Sequence, residues 1–496
     1  MDGTSRGDGS GTVIYRVCRA LLRLGLYGFF RRVHVQGRSR IPDTGPVLFV
    51  SNHINAFVDP LLILTNVRRK VTLTAKSTLV KNPLLRVVIW ALDTILLHRR
   101  GDREEGSDPR ENLFALSEAV RRLREGGALF IFPEGVSHSD PGMRRFRTGA
   151  ARMVADYLDD PTAPELSIVP VGLHFTRKDG WRSEAVALVG EPVGARAWVR
   201  GHADGGAGTE DAGVRAVETP LPPVESAAAA GGGGARVDVR ALTHEMQGWV
   251  EALTINFASA EERDLILRAD RLFAYRPGGP PPVDRPEGLD AEARVDRVHK
   301  LQGGAHLLRT RDPRRFRSLA DRAEALTTEM DRLGVAAFEV GLPMNAARVA
   351  LFVVREVEVL LVGAPLALWG WLAHLVPLTV TRRLVAALST DEDHPASNAV
   401  FMSVPIFFVW WIVVAALAFL MAGGGWGALL VLSLPLSGAI HLRYRDRAGS
   451  VVRRVRTFLF WWRHPDVRER LSADLDAWHE QIRALEPLVT SSPHGA

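Results

Sequence analysis

His53 and Asp59 lie in SNHINAFVDP (51–60), with five residues between them, directly after the apolar run PVLFV. An imidazole can take up a proton near neutral pH, and a carboxylate on one ring nitrogen fixes the tautomer and leaves the other nitrogen basic. The same residue types at a strand end also serve as turns and caps, the commoner use of an isolated His and Asp. A second patch, FPEGVSHSD (132–140), offers the Glu134 carboxylate and, in Gly135, a place where backbone can be approached closely. RRFRTGAARM follows, bringing Arg144, Arg145 and Arg147 to where an anionic group could be held. Read alone, this patch is equally a turn followed by a solvated basic helix face. In a third patch, TILLHRRGD, Arg99 and Arg100 close an apolar run.

The elements that must position these residues follow from the apolar pattern. Between about 45 and 190, short apolar runs (GPVLFV, VTLTA, GALFIF, LSIVPVGLHF) alternate with helix-like segments. Strands separated by helices predict an α/β domain around a largely buried sheet, with the polar patches at strand ends. Before it, 1–12 reads as a disordered tail and 13–32 as an interfacial amphipathic helix with Arg16, Arg19 and Arg23 at spacings of three and four. Packing of that helix on its own domain is an equal reading. Residues 194–240, rich in Gly and Ala, read as a disordered insertion in a domain spanning 33–275. Residues 276–345 read as a helical region, 346–445 as a membrane region and 446–496 as a C-terminal helical tail.

The membrane assignment rests on apolar runs at 359–380, 399–422 and 426–442, the first two each long enough to cross a bilayer core. They account for a mean hydropathy near zero in a chain that is 24% charged. The formal charge of +6 suits an anionic lipid surface or nucleic acid; the apolar runs, with no zinc spacing or RNP-like aromatic pattern, favour lipid and no nucleic-acid partner. The first residues lack a secretory pattern and Cys18 is the lone cysteine, so the site is expected on the cytoplasmic face. Arg382 and Arg383 follow the first run, and RYRDR follows the third. Positive-inside reasoning then makes runs two and three a hairpin and the first run re-entrant, with three full spans as the alternative. Abundant Arg and Ala point to a bacterial inner membrane.

Taken in order, NHINAFVD, AKSTLVKNPLLRVVIWALDTILLHRR, FIFPEGVSH and IVPVGLHF resemble the four motifs of the glycerolipid acyltransferase family. The resemblance covers about residues 13–275. The family's commonest His-to-Asp spacing has one residue fewer; the longer spacing and LTINFASAEERDLILRADRLF (253–273) are similar to the fungal-type branch that acylates glycerol-3-phosphate or dihydroxyacetone phosphate. The resemblance implies a glycerol-3-phosphate acyltransferase-like fold: a mixed, mostly buried sheet flanked by helices, then a helical region and C-terminal transmembrane helices. It implies acyl transfer from acyl-CoA or acyl carrier protein to glycerol-3-phosphate or 1-acyl-sn-glycerol-3-phosphate, with no cofactor and no metal. By position, His53 is the general base and Asp59 its orienting carboxylate. Arg99 binds the acceptor phosphate, with Arg147 a second group for it, and Glu134 with Gly135 forms the acceptor-binding box. Lys76 matches a family lysine that supports structure or binds donor, and Asp93, His98, His138 and His174 are expected to be structural. Two other classes stay open: a metal-dependent hydrolase liganded by His53, Asp59 and Glu134, and a non-catalytic lipid-binding protein.

Overall fold

The computed structural model describes residues 8–81, 83–97, 110–138, 140–178, 180–203, 237–275, 291–341, 346–388 and 395–484. In chain order the elements are α1 (Asp8–Phe29), β1 (Arg32–Gln36), β2 (Val47–Ser51), α2 (Val58–Asn66), β3 (Val71–Lys76), α3 (Pro83–Ala91), β4 (Ile95–Leu97), α4 (Arg110–Arg124), β5 (Ala128–Ile131), α5 (Gly149–Leu158), β6 (Ser167–Phe175), β7 (Glu184–Val189) and β8 (Val193–Gly194). There follow α6 (Ala195–Ala203), α7 (Val239–Glu251), α8 (Ala260–Leu272), α9 (Ala291–Arg311), α10 (Pro313–Leu333), α11 (Ala337–Val340), α12 (Ala346–Leu388), α13 (Pro395–Arg463) and α14 (Pro465–Arg483).

The strands form one mixed sheet in the order β1-β7-β6-β2-β5-β3-β4, with β8 also on β6. β2, β3, β4, β5 and β6 run parallel, while β7 and β8 are antiparallel to β6. The central strands are continuous apolar runs because both faces are covered. Val47 and Phe49 of β2 pack with Leu22 and Leu26 of α1 and Leu62 of α2. Leu48 and Val50 face the other way, onto Leu123 of α4, Val154 of α5 and Met246 of α7. A separate core joins Leu319, Leu326 and Met330 of α10 to Leu471, Leu475 and Trp478 of α14, so the C-terminal helix packs back on the helical region rather than trailing from it.

Three boundaries differ from those expected. The insertion does not begin at 194: residues 195–203 form α6, whose Ala195 and Trp198 are buried in the same core as α5, and an amphipathic turn of that kind overrides its Gly-rich surroundings. The N-terminal helix spans Asp8–Phe29, not 13–32, because the chain enters β1 at Arg32. Helix α13 runs past 445 to Arg463. One face of α1 packs on its own domain. Tyr15, Leu22, Leu26 and Phe29 are buried against the domain, while Val13, Val17 and Leu24 stay exposed beside Arg16 and Arg23.

Among the described residues, three helical stretches, 350–387, 399–421 and 423–463, are long and apolar enough to cross a membrane. Helix α13 breaks at Gly423, where φ 73° and ψ 173° are not helical, and Gly427 lies against the backbone of Phe419. A straight helix would hold those two residues about 12 Å apart, so the chain reverses there into a hairpin of two limbs. The first 25 residues of α12 follow the second limb, through Glu356 to Arg447, Gly363 to Tyr444 and Gly370 to Ser437. Beyond His374, which accepts from Trp411 Nε1, α12 instead faces the first limb. The change of partner falls between Gly370 and Pro377, where a proline disrupts the helical hydrogen-bond ladder.

Candidate active site

β2 and β5 are parallel neighbours paired Val50 to Ile131. Continuing that register two or three residues past the strands sets His53 beside Glu134, which is why motifs 81 residues apart in sequence meet at one sheet edge. The His53 backbone N–H donates to Glu134 Oε1 at 2.7 Å, and its C=O accepts from the His138 N–H at 3.3 Å. The imidazole stacks on Phe132, centroid to centroid 3.9 Å. Asn52 extends the strand, exchanging hydrogen bonds with the Leu173 backbone of β6 at 2.8 and 3.2 Å.

The five residues between His53 and Asp59 wrap around the carboxylate. Asp59 Oδ2 accepts from the Ile54 and Asn55 N–H groups at 2.8 and 2.7 Å and pairs with His53 Nδ1 at 2.9 Å. The loop closes through Ala56 at φ 25°, a left-handed excursion costing on the order of 1 kcal/mol, and is tethered by Asn55 Nδ2 donating to the Lys178 carbonyl. Asp59 is fully buried and its Oδ1 has no hydrogen-bond partner among the described residues, whereas the His53 side chain keeps 11% exposure. A buried anion fixed on Nδ1 makes that nitrogen the protonated one and leaves Nε2 as the basic position. The same anion would stabilise the imidazolium formed when Nε2 takes a proton.

Glu134 is placed differently from a substrate-facing carboxylate. Its side chain is fully buried: Oε1 takes the His53 N–H, and Oε2 takes the Arg144 N–H at 2.9 Å and pairs with His138 Nε2. His138 Nδ1 in turn accepts from the Asp140 N–H at 3.2 Å. Glu134 therefore acts on the backbone that carries His53. Gly135 adopts φ 79°, and a Cβ there would meet the Arg147 guanidinium Nε at 3.2 Å. Arg147 is exposed and its side chain lies over this turn, held by its N–H on the Pro133 carbonyl. Arg99 and His98 lie outside the described residues.

Among the described residues no three His, Cys, Asp or Glu side chains gather as ligands, and Glu134 points at backbone N–H groups rather than at His53 Nε2. The geometry therefore gives no support to His53, Asp59 and Glu134 as a metal triad. Away from the site, Asp93 is pushed down to about 2 by hydrogen bonds from Arg122 and burial is overcome, with Lys70 assisting. Burial pushes His174 down to about 4; its Nε2 is satisfied by the Leu253 carbonyl.

Sequence reasoning expected His138 to be structural without saying what it braces, and passed over Asn52 as a brace. His138 stands four residues after Glu134 and Asn52 directly before His53, and only the sheet shows what they hold. The 253–257 segment is another: Asn256 Oδ1 accepts from the Met143 N–H at 2.9 Å and Phe257 N–H donates to Pro141, tying down the loop after the Glu134 turn. Its signal was the similarity of 253–273 to a segment of the fungal-type branch, which did not say what it touched.

Residues 32–174 match the family model described as Acyltransferase. An uncharacterized acyltransferase of Schizosaccharomyces pombe is 24% identical over 264 residues, covering 37% of this chain and 39% of that protein. The 1-acyl-sn-glycerol-3-phosphate acyltransferase of Borreliella burgdorferi is 29% identical, over 32% of this chain and 57% of its own length. Glycerol-3-phosphate O-acyltransferase 2 of Saccharomyces cerevisiae is 24% identical, over 32% and 21%. The chain thus matches less than two thirds of each of these relatives. A solved structure, the 1-acyl-sn-glycerophosphate acyltransferase of Thermotoga maritima, superposes with a TM-score of 0.30 at 22% identity, covering 38% of this chain and 74% of that one.

Proposed function

We propose, from the premise that residues 32–174 are an acyltransferase domain of the glycerolipid kind, that this chain moves a fatty acyl group from an acyl thioester to glycerol-3-phosphate or 1-acyl-sn-glycerol-3-phosphate at a membrane surface. The observation that carries the reading is the pair in which buried Asp59 holds His53 Nδ1 and leaves Nε2 basic at the sheet edge. Similarity to relatives named for each acceptor supports both steps as the chemistry to test.

The acceptor hydroxyl gives its proton to His53 Nε2 as its oxygen attacks the thioester carbonyl. The C–S bond then breaks, and the thiolate leaves with the proton returned from the imidazolium. No enzyme-bound acyl group forms. Acyl-CoA or acyl carrier protein serves as donor, with no other cofactor. Asp59 holds the ring and offsets its transient charge. Glu134 and His138 fix the backbone on either side of the ring. Arg147, and Arg99 at the end of the second motif, are the cations for the acceptor phosphate. The apolar helices keep the site at the lipid surface, the inner membrane of a bacterium with the domain on the cytoplasmic side.

The test follows labelled acyl-CoA into lipid in membranes containing the wild type or His53→Ala, with each acceptor offered separately. Transfer lost in the variant supports the reading, and the productive acceptor names the step. Transfer unchanged in His53→Ala removes His53 as the base.

A further inference from the structure

Arg182, in the connection between β6 and β7, takes φ 59°, a left-handed backbone that favours glycine and that an arginine keeps only where its surroundings hold it. Its N–H donates to the Phe29 carbonyl at 2.8 Å. Its guanidinium donates to the carbonyls of Tyr27 and Phe30 at 3.3 and 3.1 Å, closing the C-terminal end of α1. The same guanidinium also pairs with both carboxylate oxygens of Asp446, on the second limb of α13. The two side chains are only 11% and 17% exposed, so salt screens this pair less than a surface one. Asp446 is the one acid in RYRDR, the basic stretch that follows the third apolar run. A helix leaving a lipid surface needs no acid there, and this one faces the acyltransferase domain instead.

The same β6–β7 connection reaches the site. The Lys178 carbonyl accepts from Asn55 Nδ2 at 2.9 Å. The Gly180 and Ser183 N–H groups donate to the Arg177 and Gly180 carbonyls at 3.2 and 3.0 Å, which ties Lys178 and Arg182 into one short unit. Asn55 is fully buried, its own N–H is one of the donors to Asp59 Oδ2, and its carbonyl accepts from the Val58 N–H at 2.8 Å. On the other side of Ala56, Phe57 meets Phe401 of the first limb edge-on at 5.1 Å. Val400, next to Phe401, is fully buried in the same core as Val58 and Leu61. The left-handed Ala56, at φ 25°, is thus flanked by two holds, and both lead to the membrane helices. A strained loop keeps its shape only while its surroundings over-determine it.

We propose that the membrane helices position the catalytic pair: Asp446 and Arg182 are positioning residues that act on Asp59 and His53 through the Lys178 carbonyl and Asn55, with Phe401 as the second hold. The proposal rests on the acyltransferase reading for its effect on rate but not for its effect on the His53 ring, and two measurements separate them. In the first, acyl transfer by the full-length protein in membranes is measured per folded protein, with Tm beside it. Arg182→Gln and Asp446→Ala should each lower kcat roughly tenfold, within the hundredfold that an ångström of misplacement can cost, with the KM of donor and acceptor unchanged. Asp446→Ala leaves Arg182 its carbonyl partners, so it carries the test if Arg182→Gln does not fold. Asn55→Ala should lower kcat to a like degree. Arg182→Gln or Asp446→Ala added to it should lower kcat no further, because both act through the amide that Asn55→Ala removes. Arg447→Ala, beside Asp446 but paired with Glu356 of α12, should lower Tm and leave kcat as in the wild type. Losses that multiply in the double variants, or a wild-type kcat in Asp446→Ala, overturn the proposal.

In the second, the same proteins are treated with diethyl pyrocarbonate and modification of the His53 peptide is followed in time. A ring loosened from a seat where it is 11% exposed is more open to the reagent, so His53 should react faster in Arg182→Gln, Asp446→Ala and Asn55→Ala than in the wild type. Faster modification in a protein that acylates neither acceptor supports the positioning, and the acyltransferase reading alone then fails. Modification at the wild-type rate in all three variants overturns the positioning, even where acyl transfer is present.

Discussion

Replacing Asp59 by Asn keeps the shape of the site and removes its charge. Asp59 Oδ2 accepts from three N–H groups, those of His53 Nδ1, Ile54 and Asn55, at 2.7 to 2.9 Å in a fully buried position. An amide oxygen can accept from the same donors, but it offers no charge to an imidazolium. If the amide nitrogen faces the ring instead, it donates to Nδ1 and leaves the proton on Nε2, where a base is needed. Either arrangement removes most of the contribution of an oriented base, typically 10² to 10⁴ in rate, so kcat should fall by that factor, about 3 to 5 kcal/mol. Hydrogen bonds to a charged acceptor exceed neutral ones by roughly 1 kcal/mol each, so three of them set an upper bound of about 3 kcal/mol on the stability loss. The actual loss should be smaller, because a neutral amide costs less to bury than an anion. The assay is acyl transfer in membranes under saturating donor and acceptor, with thermal unfolding of the purified protein beside it. A folded Asp59→Asn protein that keeps kcat within threefold of the wild type would refute the oriented-base argument.

Other consequences can be checked alongside. Gly135→Ala forces a side chain into φ 79° and against Arg147, and should cost roughly 1 to 2 kcal/mol of stability, read as a lower Tm. His174 is held neutral by burial, its imidazole pushed from 6.5 to about 4. Its contribution is therefore fully present above pH 6.5 and is lost as pH falls toward 4, by up to roughly 3 kcal/mol. Unfolding of wild type and His174→Gln at neutral and mildly acidic pH should show a shallower pH slope in the variant. Arg447→Ala removes the bidentate partner of buried Glu356, held at 2.6 and 3.0 Å, and leaves Arg355 alone to oppose that charge. A loss of roughly 3 kcal/mol is expected, and adding Glu356→Gln should recover part of it. A double variant no more stable than Arg447→Ala would count against the pair.

By itself, the sequence determined the α/β class, the strand-end placement of both motifs and the three apolar runs, because these depend on local periodicity and composition. Val47–Ser51 reads as a buried strand wherever it occurs, and a run such as 399–422 has few places to go but a membrane. The spacing of His53 and Asp59 likewise admitted a pair. Only the tertiary structure decided what depends on register. The Val50 to Ile131 pairing is set by the whole sheet, and it turned Glu134 from an expected acceptor-facing group into one aimed at the His53 backbone. The same long-range packing gave His138 and Asn256 their roles as braces, buried Trp198 so that α6 folds inside an apparent linker, and seated Phe401 of a membrane helix on Phe57 of the site loop. Local pattern fixes which face of an element is apolar. Which other face covers it is settled by contacts between residues far apart in the chain, and the parts of this site that were not legible in the sequence depend on those contacts.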